Sequence, residues 1–138
     1  MNKLEYIPGD IVKIEYGEAT GKIGFVTNTF LRRKGCYSLV VFIGKGFQGS
    51  SKDDWIQTYN DEVSPIPLTP EILEKNGWEK PDGFDSYWLD KIGLLQDGDV
   101  WHSALGSTKI AITLSNIQYV HELQHLFFVL GLNSEMEV

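Results

Sequence analysis

The sequence contains a single cysteine, Cys36, so no internal disulfide can form and a reducing compartment is the expected setting. It has no apolar run long enough to span a membrane. Met1 leads straight into Asn2 and Lys3, with no apolar stretch behind it, so no signal peptide is expected. No segment repeats. Positive charge is scarce: 12 Lys and Arg stand against 19 Asp and Glu, for a net charge of −7. That balance repels a nucleic-acid backbone at long range, so long nucleic acids are not expected as partners. No membrane partner is expected either.

What is present suits a folded domain. In 138 residues, 42% are hydrophobic, enough for a core in one domain or in two small lobes. Four Trp and six Tyr are many for this length. Such rings build cores and interfaces, and they also stack on flat ligands.

The first half reads as short strands. Asp10–Tyr16 (DIVKIEY) places Ile11 and Val12 before alternating Lys13 and Glu15, and Gly17 stops it. Lys22–Thr29 places Ile23, Phe25 and Thr27 on one face. Cys36–Ile43 is the most apolar run and is expected inside the sheet. Asp54–Tyr59 and Glu62–Ile66 are weaker strands, the last demoted to an edge by Pro65 and Pro67. Five short strands with Gly-rich turns predict a small barrel. The segments Pro8-Gly9-Asp10-Ile11-Val12 and Gly21-Lys22-Ile23-Gly24-Phe25-Val26 resemble the opening of SH3-like small barrels, including KOW-type ones. The resemblance implies a fold and no function, since such barrels bind peptides, RNA or nothing.

A helix follows. Thr69 is its N-cap, Pro70 sits at N1, and Asn76-Gly77 end it, with Trp78 folding back. Lys80-Pro81-Asp82-Gly83 is a turn. Tyr87–Leu95, Val100–Leu105 and Lys109–Leu114 are strands joined by hairpin turns at 96–99 and 106–107. A last helix is expected over Ser115–Leu130, with Ser115 and Gln118 as a capping box and Gly131 as C-cap. Residues 133–138 read as a frayed acidic tail. The fold class is therefore α+β. An SH3-like β-barrel is expected over 1–68. A helix, antiparallel hairpins and a covering C-terminal helix are expected over 69–138, packed with the barrel as one unit.

Two segments, Ser64–Trp78 (SPIPLTPEILEKNGW) and Tyr119–Leu126 (YVHELQHL) before a Gly-Leu, resemble a family of small proteins of gut Bacteroidota, their phages and mobile elements. The resemblance implies the two-part layout and a phage or mobile-element origin, hence the host cytoplasm. It implies no activity.

Candidate chemistry is sparse. His121-Glu122-Leu123-Gln124-His125 has the H-E-x-x-H spacing of zinc hydrolases, which sets two imidazoles on one helical face beside a carboxylate base. Only Glu135 and Glu137 follow as further ligands, Phe128 stands where a metzincin needs glycine, and His102 is distant. At about 100° per residue, Tyr119, Val120, Leu123, Leu126, Phe127 and Leu130 share one side of the helix. Gln118, His121, Glu122, Gln124 and His125 share the other, read as a solvent face. Cys36, in an apolar strand, reads as a buried structural thiol. The carboxylate pairs Asp53-Asp54, Asp82/Asp85 and Asp97/Asp99 suit turns. No catalytic residues, metal ligands or cofactor are assigned.

The ligand-binding candidates lie on two turns. Arg32, Arg33 and Lys34 form the basic cluster, and Gly44–Lys52 is a glycine-rich loop carrying Lys45, Phe47, Ser50 and Lys52. Phe30 and Trp55 flank them. If both turns rise from one end of a barrel, cations and aromatics meet, as a nucleotide-like anion requires. The expected function is non-catalytic binding. The ligand is a small anionic or nucleotide-type signal, sequestered as an anti-defence measure, in a pocket that a homo-oligomer would help enclose. The alternatives are an SH3-like module docking a host or phage protein, and a zinc hydrolase using His121, Glu122 and His125.

Overall fold

The computed structural model describes residues 6–33, 36–44 and 52–138. The chain forms two compact units, Met1–Ile66 and Pro67–Val138. Both are built on antiparallel sheets, and with two helices in the second the class is α+β.

The first unit holds β1 (Ile11–Ile14), β2 (Ile23–Arg33), β3 (Cys36–Phe42), β4 (Trp55–Tyr59) and β5 (Val63–Pro65). They form one sheet in the order β4-β3-β2-β1-β5. The Pro8-Gly9-Asp10 motif is a turn: the buried Asp10 carboxylate accepts the Ile7 N–H at 2.9 Å, and the Gly9 N–H donates to the Val26 carbonyl. Alternation then decides the faces. Val12, Ile14, Val26, Leu39, Val41 and Val63 turn inward with Tyr6 and Ala19. Phe25 and Ile23 stand on the side of β2 opposite Val26, with Ile23 exposed.

The predicted barrel is not confirmed: among the described residues β4 and β5 remain edges and no strand pair closes the sheet. It is nevertheless curled. β4 and β5 are joined by Asn60-Asp61-Glu62 alone. Such a link reaches at most about 14 Å, whereas a flat five-stranded sheet is about 19 Å across. Two bulges in β2, at Val26/Asn28 and Leu31/Arg33, supply bending.

The second unit begins with α1 (Pro70–Lys75). As the sequence predicts, the Thr69 hydroxyl accepts the Ile72 N–H at 3.2 Å, and Pro70 occupies the first turn. The Gly77 and Trp78 N–H groups close a Schellman motif on the Glu74 and Leu73 carbonyls. Trp78 then stacks on Phe127 with centroids 5.9 Å apart. A sheet follows in the order β6-β7-β8-β9, from Tyr87–Leu89, Ile92–Asp97, Val100–Gly106 and Ala111–Ile117. The single strand predicted over Tyr87–Leu95 is two, because Asp90 takes a left-handed φ of 53° and turns the chain. The buried apolar side chains of this unit are Leu68, Leu73, Trp78, Ile92, Leu94, Trp101, Ile117, Val120, Leu123 and Phe127. Burying each of the larger ones is worth roughly 1.5–3 kcal/mol.

α2 spans Val120–Val129, later than expected, because Ser115–Ile117 belong to β9. Its cap is Tyr119, and Glu122 reaches back to accept the Tyr119 and Gln118 N–H groups, both at 3.0 Å. The Gly131 and Leu132 N–H groups end it by donating to the Phe128 and Phe127 carbonyls. Residues 133–138, expected to fray, are held. Gln124 donates to the Ser134 carbonyl at 3.0 Å. The Asn76 side chain pairs both ways with the Glu137 backbone, at 2.7 and 2.9 Å, much as a neighbouring strand would. Among the described residues no helix is long and apolar enough to cross a membrane.

Candidate ligand-binding face

Directly opposed residues of an antiparallel pair point to the same side of the sheet. Phe30 opposes Ser38, and Ser38 opposes Tyr59, so these three form a row across β2, β3 and β4. The next row is Asn28, Val40 and Gln57. The third is Phe25, Phe42 and Trp55. All three lie on the face opposite the core residues Leu39 and Val41.

The first row has the chemistry of a ligand site. Ser38 is buried, while Phe30 and Tyr59 beside it are 53% and 37% exposed. The Arg32 Nε–H donates to Ser38 Oγ at 2.8 Å. That bond fixes a side chain that otherwise has much rotamer freedom, and its terminal nitrogens are donors that a phosphate takes in a fork. The bulge at Leu31/Arg33 matters here. It makes Arg32 an extra residue, and Arg33 then opposes Cys36, on the same face as Ser38. Strict alternation would have sent one of the two arginines to the other side.

Among the described residues, the candidates from the two turns are not brought together. Arg33 pairs with Cys36 at the start of β3 and Trp55 pairs with Phe42 at its end, so the two sets lie at opposite ends of the strand. Phe30, Arg32 and Arg33 stand at one end, Lys52 and Trp55 at the other. The separation from Ser38 to Phe42 is about 13 Å along the strand. Lys34, Lys45, Phe47 and Ser50 lie outside the described residues. Trp55, 36% exposed, rests against Phe42 with ring centroids 4.6 Å apart, and Phe25 packs on Phe42 from the other side. Lys52 is followed by Asp53 and Asp54, so that end carries no net positive charge from these three. Ser38 and Tyr59 were missed by sequence reasoning. The available signal was Ser38 itself, a polar residue inside the CYSLVVFI run.

Cys36 is half-buried opposite Arg33 rather than fully enclosed. The other chemical motif, on α2, also departs from expectation. The side read as solvent-facing contains His121, 1% exposed, and the buried Gln124. His121 stacks on Tyr119 and meets the His125 ring edge-on at 5.4 Å. The helix is flanked by more than its sheet, since the tail lies over Gln124, so the buried arc is wider than the apolar stripe. Glu122 serves the helix N-terminus. His125 and Glu122 line a groove of about 370 Å³ with Ser115, Asn116, Leu126 and Val129. Among the described residues no group of three or more His, Cys, Asp or Glu is placed to hold a metal ion.

His102 sits on the exposed side of the second sheet, with Nε2 3.2 Å from Asp97 Oδ2 and Nδ1 2.9 Å from Asn116 Oδ1. The protonated ring donates to both. The hydrogen bond to Asp97 first, then that to Asn116, raises its pKa above the ordinary imidazole value. A raised folded-state pKa stabilises the fold fully below the unfolded value, and the effect is lost as pH rises through the folded one. Thermal midpoints are therefore expected to fall slightly between about pH 6 and about pH 8, with the fall reduced in His102→Asn. An identical fall in that variant would assign the effect to other groups.

No family model, curated protein or solved structure matches the chain.

Proposed function

We propose that this protein is a non-catalytic binding protein that holds a small nucleotide-type anion on the outer face of its first sheet. One observation carries the reading. Exposed Phe30 and Tyr59 flank the buried Ser38, and Arg32 is anchored on the Ser38 hydroxyl between them. The rings offer stacking and the guanidinium offers charge-assisted hydrogen bonds, while Arg33 adds charge on the same side. A local cationic site of this kind works within a chain of net charge −7 because a small anion meets only the nearby charges through salt. The strand order also supports an SH3-like reading of this unit, since β5 returns to pair with β1 and the sheet curls. Sequestration of a nucleotide-type signal fits the phage and mobile-element family that the sequence resembles.

The test is calorimetry against cyclic and linear mono- and dinucleotides, with the ligand analysed afterwards. Binding is expected to weaken about tenfold in Arg32→Ala and in Tyr59→Ala, and the ligand is expected back intact. No binding across the panel, or recovery of a cleaved ligand, would overturn the reading.

A further inference from the structure

We infer that the same face binds a short single-stranded oligonucleotide at two stacking stations, with its phosphate at the arginine end and a base against Trp55. This rests on the reading above and extends it to a ligand class.

The register supplies the geometry. The Phe30–Ser38–Tyr59 row and the Phe25–Phe42–Trp55 row lie on one side of the sheet, separated by the Asn28–Val40–Gln57 row. Four residue steps along β3, from Ser38 to Phe42, part the two aromatic rows by about 13 Å. That is roughly four stacked nucleotides at about 3.4 Å each, and fewer when the strand is extended. One nucleotide cannot reach both. Asn28 and Gln57 are exposed on either side of Val40 and can donate to and accept from base edges between the stations. Trp55 has its inner side on Phe42 and remains partly open to solvent.

Charge sets the direction. Arg32 and Arg33 stand at the first row, while Asp53 and Asp54 offset Lys52 at the third. A phosphate is favoured at the first end and disfavoured at the other, where a neutral base stacks. The net charge of −7 also limits length, since phosphates beyond the face meet an acidic surface. Stacking tolerates any base, so little sequence preference is expected.

The experiment is calorimetry on the full chain with AMP and with 5′-phosphorylated oligoadenylates. Affinity is expected to rise about tenfold from AMP to the oligomer of about four nucleotides, one more stacked base being worth that much. It is expected to rise no further at about eight nucleotides, where the added phosphates leave the face. Trp55→Ala should abolish the gain with length and leave AMP binding unchanged, whereas Tyr59→Ala should weaken both. Trp55→Leu, which keeps apolar contact with Phe42, should bind like Trp55→Ala and guards against loss of folding in the smaller variant. If AMP binds through Arg32 but length brings no gain, this inference fails and the mononucleotide reading stands. If Trp55→Leu weakens AMP and oligomer equally, the two stations are not separate and the inference also fails. If neither ligand binds, the functional reading itself is wrong and this extension falls with it.

Discussion

Trp101→Ala is expected to destabilise the second unit by about 3–5 kcal/mol. Trp101 is fully buried in β8, and its Nε1–H donates to the Leu68 carbonyl at 3.1 Å. Its ring also meets Tyr87 edge-on at 5.9 Å. Alanine would leave a cavity the size of an indole and strand the Leu68 carbonyl without its donor. A small domain has a total stability of about 5–15 kcal/mol, so this loss is a large fraction of it. Trp101→Phe separates the two contributions. It keeps most of the apolar volume and loses the N–H, for an expected cost of about 1–3 kcal/mol. Urea unfolding followed by far-ultraviolet circular dichroism measures both, without relying on the fluorophore being removed. Equal losses in the two variants would show that the hydrogen bond, rather than the packing, dominates at this position.

Gly24→Ala is expected to cost about 3 kcal/mol or more in the first unit, at the severe end of overpacking. A Cβ at Gly24 would stand 2.3 Å from the Phe42 carbonyl oxygen and 2.9 Å from Ile43 Cγ2. The closest obstacle is backbone, and relieving the clash means parting β2 from β3 beside the Phe25–Phe42 pair. Gly93→Ala makes the comparison. Its Cβ would meet the Trp88 ring at 2.6 Å, but a side chain can rotate away. The expected loss there is smaller, about 1–3 kcal/mol. Denaturant midpoints for both variants test the ranking, and a Gly24→Ala protein as stable as the parent would contradict the close approach of β2 and β3. Because the Phe25–Phe42–Trp55 row is built on the same contact, Gly24→Ala should disturb Trp55 as well.

The sequence by itself determined the elements whose signals are local. Thr69, Pro70 and Gly77 bound α1 because a hydroxyl, a missing N–H and a turn act within a few residues of themselves. Gly131 ended α2 for the same reason. The strands were legible from alternation, and their order along the chain followed. Where two signals competed, the local one misled: Ser115 and Gln118 looked like a capping box, but Ser115 lies in β9 and the pairing of Asn116 and Ile117 with β8 moved the helix start to Val120 and gave the cap to Tyr119 and Glu122.

Only the tertiary structure decided which residues meet. Ser38 is six residues from Arg32 and Tyr59 is far from both in sequence, and the three meet through register, which is fixed by the summed packing of whole strands. The same register parted Trp55 from the arginines, because Arg33 pairs with Cys36 at one end of β3 and Trp55 with Phe42 at the other. Burial of His121 and Gln124 was likewise beyond helical periodicity. A helix wheel describes one element, whereas burial depends on everything packed around it, including a tail that a sequence of polar residues portrays as loose.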